Sequence, residues 1–219
     1  LLLSVYKLNQ NKVAYEADAE QSAERSLKNV ALAYLMQPDD TEMVQLCVDQ
    51  FTTANNMTDT SASLRSLVGS AADEAQVPKE KALTDFYNRW VNEALVIDQW
   101  FAIQASCQLP GTLDRVKTLM SHADFDIRVP NRMRAVIGQF AVANMVNFHA
   151  ANGDGYTFLA DQVIELNAIN PQMAARILAP LTRWEKFDAG RQTKMKDELQ
   201  RILDVKSICL LYTSDAADE

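Results

Sequence analysis

Histidine is nearly missing from this sequence, with two in 219 residues beside three cysteines. A zinc site needs three or four N, S or O ligands at workable spacing. His122 and His149 stand far apart with no HExxH, so the chain is expected to hold no metal. Cys47, Cys107 and Cys209 show no paired spacing, which suits a reducing compartment, with the cytoplasm as the default. Glycine and proline number only six each, too few for a β-rich or loop-rich protein. The glycines are scattered and form no phosphate-cradling loop. No apolar run approaches the roughly 20 residues that span a bilayer. Leu1, Leu2 and Leu3 make too short a run for a signal segment. The net charge of -8 lacks the basic footprint of a nucleic-acid binder. Nucleophilic machinery is wanting too: no G-x-S-x-G occurs, and Cys47 and Cys107 fall on apolar helix faces, where a thiol is inert.

What is present is helix signal. Alanine, leucine, methionine, glutamine, glutamate and lysine fill the long segments, and these are the better helix formers. Over 19–36, Ala23, Leu27, Val30, Ala31, Tyr34 and Leu35 recur at three- and four-residue intervals and predict a buried stripe. After Pro38, Asp39 or Asp40 is the candidate cap of a helix carrying Met43, Leu46, Cys47 and Phe51. Thr58 or Asp59 is the candidate cap of the next, with Leu64, Leu67 and Val68. Pro78 is expected at a first helical position before Leu83, Phe86, Tyr87 and Trp90. A helix over 95–105 follows, and Thr112 is expected to cap the one after the Pro110-Gly111 break. Pro130 opens a segment with Met133, Val136, Ile137 and Phe140. The loop Asn152-Gly153-Asp154-Gly155 reads as a plain turn, since it lacks the acidic ladder of a calcium loop. Helices then follow over 156–167 and from Asn170-Pro171, and Asp188 caps the last. His122, just past a helix end, and His149, before the loop, are expected in structural or surface roles.

No stretch alternates as a half-buried strand does. About ten helices with short links, and none hydrophobic on all sides, read as an all-α superhelical stack of antiparallel helix pairs. Residues 209–219 fit nothing before them and resemble a translated transposase adapter, so the domain is assigned to residues 1–208.

Several segments then point to one family. F-T-T-A-N-N-M-T-D at 51–59, L-V-I-D-Q-W-F at 95–101 and P-N-R-M-R-A-V-I-G-Q-F at 130–140 resemble the C-terminal domain of bacterial aminopeptidase N. So do F-H-A-x-x-G-D-G-Y-x-F-L at 148–159 and N-P-Q-M-A-A-R at 170–176, and the likeness runs in order from about residue 1 to 203. The resemblance implies a zinc-dependent alanyl aminopeptidase whose catalytic domain lies upstream in the same chain and holds the metal. It also implies that this C-terminal superhelix, itself non-catalytic, closes over an internal cavity and receives peptide substrates. By motif, Arg134, Gln172 and Arg176 become the candidate cavity-wall residues. A guanidinium there can grip the carbonyls and carboxylate of a peptide bidentately. The same arginines also suit interhelical salt bridges or snorkelling. A free-standing α-solenoid that binds a protein or peptide in its concave face is the alternative reading.

Overall fold

The computed structural model describes residues 1–10, 14–38 and 40–205. Asp39 and the segment 209–219 therefore lie outside the described residues. Within them every regular element is helical, and the chain divides into two compact units, Leu1–Ile103 and Gln104–Glu219.

The first unit runs through α1 (Leu2–Leu8), α2 (Ala19–Leu35), α3 (Thr41–Thr53), α4 (Met57–Val68), α5 (Asp73–Trp90) and most of α6 (Ala94–Ala105). Side-chain caps set its helix starts. Asp18 accepts from the Gln21 amide, Asp40 from those of Glu42 and Met43, and Asn56 from that of Asp59. Asn56 thus takes the capping role expected of Thr58 or Asp59. Pro78 does not open its helix. It lies inside α5, which begins at Asp73, where Ser70 Oγ accepts from the Ala72 amide and two acids occupy the first turn. Helix α4 packs against α2, α3 and α5. Leu64, Leu67 and Val68 fill that contact as expected.

Helix α2 is rotated from its apolar periodicity, keeping only Ala31 of the expected stripe fully buried. Leu27, Val30 and Tyr34 are 50%, 53% and 63% exposed, while Gln21, Arg25, Lys28, Ala31 and Leu32 are buried. The reason is a partner remote in sequence. Lys28 Nζ reaches Asp59 Oδ2 at 2.6 Å, and Asn29 Nδ2 donates to Asp59 Oδ1 at 2.8 Å. Arg25 is covered by the preceding segment, with its guanidinium 5.0 Å from the Tyr15 ring centroid and NH1 donating to the Glu16 carbonyl. A charged face can go inward when each charge finds a partner there.

The second unit holds α7 (Thr112–Met120), α8 (Pro130–Met133), a π-helical turn (Arg134–Gly138), α9 (Gln139–Ala143) and α10 (Met145–Phe148). After these come α11 (Asp154–Ile169), α12 (Pro171–Thr182), a 3-10 turn (Trp184–Lys186) and α13 (Ala189–Leu203). The residue before α7 is Gly111 at φ 82°, so Thr112 is the first helical residue and its hydroxyl donates to the Leu109 carbonyl. Asp188 caps α13 as expected, and Asn170 caps α12. Helix α11 departs from the expected pattern, because it is buried on most sides. It packs on α10, α12 and α13, and Tyr156, Phe158, Leu159, Val163 and Leu166 lie in the core. At its start, a Cβ on Gly155 would lie 2.3 Å from the Phe148 carbonyl oxygen, so only glycine lets α10 and α11 approach this closely.

Candidate functional site

The segment over 130–140 makes the local structure of the site. Pro130 starts it at a first helical position, where a missing N–H costs nothing. The ladder then slips into the π turn at Arg134–Gly138 before α9 resumes. Such one-turn widenings carry an extra residue and recur at functional sites. Met133, Ala135, Val136, Ile137 and Phe140 go into the core, while Arg134 stays exposed and donates from NH1 to Asn131 Oδ1 at 3.0 Å.

Across from it, α12 rises from the Asn170 cap and Pro171. Its apolar face buries Met173, Ala174, Ile177, Leu178 and Leu181. Arg176 lies off that face and is exposed. Between the π turn, α9, α10, α12 and the 3-10 turn lies a pocket of about 520 Å³. Met133, Ala141, Met173 and Ile177 form its floor, Val142 and Met145 its apolar edge, and Arg134, Arg176, Arg183 and Lys186 its cationic rim. No Asp or Glu lines it. Among the described residues no ion pair engages any of the four cations. In a chain of net charge -8 this local excess of positive charge concentrates an electrostatic field over an apolar floor.

One wall of the pocket is aromatic. The His149 ring stacks on Phe187 at 4.1 Å and 26°, and its Nδ1 lies 2.9 Å from the Tyr156 hydroxyl. Arg191 holds the backbone there, donating from Nε to the His149 carbonyl at 2.7 Å and pairing through NH1 with Asp188 at 2.6 Å. Burial, and then the positive charge of Arg191, pull the His149 pKa below its ordinary value. Burial pushes the Tyr156 hydroxyl up, so it stays protonated as a hydrogen-bonding group.

Two of the three motif-derived wall residues, Arg134 and Arg176, meet on this pocket. Gln172 does not join them. It sits exposed in the first turn of α12, one helical turn before Arg176 and outside the lining. Sequence reasoning missed Arg183, Lys186, Phe187 and the pocket-side position of His149. The run Arg183-Trp-Glu-Lys186 has no helical period, and only the 3-10 turn after α12 brings its cations to the rim. His122, at the other candidate position, accepts the Asp124 amide on Nδ1 at 3.1 Å, a local turn contact. Among the described residues no three His, Cys, Asp or Glu side chains gather closely enough to hold a metal ion.

An all-α stack carrying these motifs defines the class: the chain belongs to the family described as a domain of unknown function (DUF3458_C) with ARM repeats, which it matches over residues 1–209. The chain matches the C-terminal part of bacterial aminopeptidase N. Over 209 residues it is 38% identical to aminopeptidase N of Escherichia coli (strain K12), covering 94% of this chain and 23% of that protein. Aminopeptidase N of Haemophilus influenzae is 39% identical over 195 residues, which is 89% of this chain and 22% of that one. A solved structure of Legionella pneumophila aminopeptidase A in complex with aspartic acid superposes with a TM-score of 0.86 at 32% identity, over 99% of this chain and 26% of that chain. The chain thus spans about a quarter of the length of the relatives it matches.

Proposed function

We propose that this chain is the non-catalytic C-terminal domain of a zinc-dependent aminopeptidase, and that it walls the cavity in which peptides lose their N-terminal residues. We assign the domain to residues 1–208 and leave 209–219 outside it on sequence alone. The metal and the bond-breaking groups are assigned to an upstream catalytic domain of the same chain, and the cytoplasm is the proposed compartment.

The observation that carries the reading is the convergence of Arg134 and Arg176 on one acid-free pocket. A peptide held elsewhere by its N-terminus projects its later carbonyls and its carboxylate outward. Guanidinium groups with no carboxylate partner are the donors that geometry calls for, and two planar forks can each make paired bonds. The grip is positional: these residues orient substrate and take no proton.

Replacing Arg134 by Ala in the intact parent is expected to raise KM for a tetrapeptide by roughly tenfold, the scale of one charge-assisted contact. Cleavage of an alanyl anilide, which is too short to reach the wall, stays unchanged. Equal effects on both substrates make Arg134 a structural residue and remove the reading.

A further inference from the structure

The pocket has two chemically distinct halves, and a gripping role for Arg134 and Arg176 uses only one of them. Its floor is apolar and buried: Met133 is 1% exposed, Ala141 3%, Met173 5% and Ile177 6%. Val142 and Met145 extend that surface to the mouth, where they are 65% and 56% exposed. The stacked rings of His149 and Phe187 close another side with flat apolar area. Opposed to this floor is a rim with twice as many cations as the motif anticipated. Arg183 and Lys186 join Arg134 and Arg176, and no acid lines the pocket to neutralise them. A backbone-carbonyl grip needs hydrogen-bond donors but not four positive charges. Four cations without an acid favour an anionic group, and the apolar floor and volume of about 520 Å³ suit one whose neighbour is apolar and compact.

On the reading that peptides are the substrates, we propose that this pocket captures the C-terminal residue of a short peptide, with the α-carboxylate on the cationic rim and an apolar last side chain on the methionine-lined floor. The two halves act together. Seating an apolar side chain removes water from around the carboxylate, which strengthens its bonds to the guanidinium groups. An acidic last side chain brings a second charge to the floor, where nothing pairs with it. Methionine side chains adapt to different apolar shapes, so the site favours leucine, methionine, valine and phenylalanine ends as a class. Arg183 and Lys186 are specificity residues here, since they set the charge of the rim without touching the bond that is cleaved.

The test is an equilibrium titration of the full 219-residue chain, followed by amide NMR shifts, with N-acetyl-Ala-Leu, its C-terminal amide and N-acetyl-Ala-Asp as probes. The blocked N-terminus keeps cleavage chemistry out of the readout. N-acetyl-Ala-Leu is expected to shift amides in the π turn, α10 and the start of α12. The amide and the Asp-ended peptide should each bind about tenfold more weakly, the loss of one charge-assisted or one apolar contribution. Arg183→Gln should narrow the gap between acid and amide, and Val142→Lys, which offers an acidic side chain a partner, the gap between Leu and Asp ends. Both positions are exposed, so the fold tolerates them. Equal binding of all three probes, or shifts confined to other surfaces, overturns the inference. The cavity-wall reading stands or falls separately, on the response of the intact parent to Arg134→Ala.

Discussion

Lys28 and Asp59 are the most instructive single residues. Their side chains are 8% and 6% exposed, and they meet at 2.6 Å. Asn29 and Asn56 donate to the same carboxylate. Removing one partner strands a buried charge, which typically costs about 3–5 kcal/mol. Asp59→Ala should therefore lower the denaturation free energy by roughly that amount. A loss under about 1 kcal/mol would show the pair to be solvated. Cys47 shows the opposite use of burial. Its thiol is fully covered and donates to the Ser63 carbonyl at 3.3 Å, and desolvation pushes its pKa up to about 12. It should resist iodoacetamide at pH 8 in the native chain and react once the chain is unfolded, as peptide mapping would read. His149 gives a pH dependence with a definite sign. Its folded pKa lies below the ordinary value, so the unfolded chain takes the proton first. The contribution to stability is complete above about pH 6.5 and declines as pH falls through that value toward the folded pKa. A ring titration followed by NMR should show a midpoint under 6.5, and one at or above it contradicts the burial argument.

At the scale of elements, the helices and most of their ends were legible, because caps and breakers act locally. Asp40 and Asp188, both expected caps, accept backbone amides at their helix starts, and Asp18 and Asn170 do so at starts with no cap expected from the sequence. What was not legible depended on contacts far along the chain. Leu27, Val30 and Tyr34 of the α2 stripe face outward because Asp59, some thirty residues later, draws Lys28 inward. Nothing in the period of α2 itself reports that. Pro78 reads as a helix start from its neighbours, yet α5 runs through it. The π turn left no mark in the apolar spacing over 130–140, although it carries Arg134 to the pocket. Gly155 is the sharpest element-scale constraint. A methyl group there meets the Phe148 carbonyl oxygen, carbon and Cα at 2.9 Å or less. Gly155→Ala should cost about 3 kcal/mol, near the upper end for single substitutions, because backbone and not a flexible side chain must give way. Thermal unfolding measures it, and a shift within error of zero means that α10 and α11 can separate freely.

At the scale of the molecule, the candidate site was half legible. Arg134 and Arg176 came from short motifs shared with a family, while Arg183 and Lys186 come to the rim only through the turn after α12. Composition excluded function classes and motifs supplied a family, but the charge balance of the pocket became visible only in three dimensions. That balance underlies the account: a -8 chain places four cations without an acid over an apolar floor. The measurement that tests it most directly is kcat/KM of the intact parent with Arg176→Ala and with Arg176→Lys, on a tetrapeptide and on an alanyl anilide. The account predicts a loss of roughly ten- to a hundredfold on the tetrapeptide for the alanine variant, partial recovery with lysine, and an unchanged anilide rate. A loss of the same size on both substrates, or no loss on either, would contradict it.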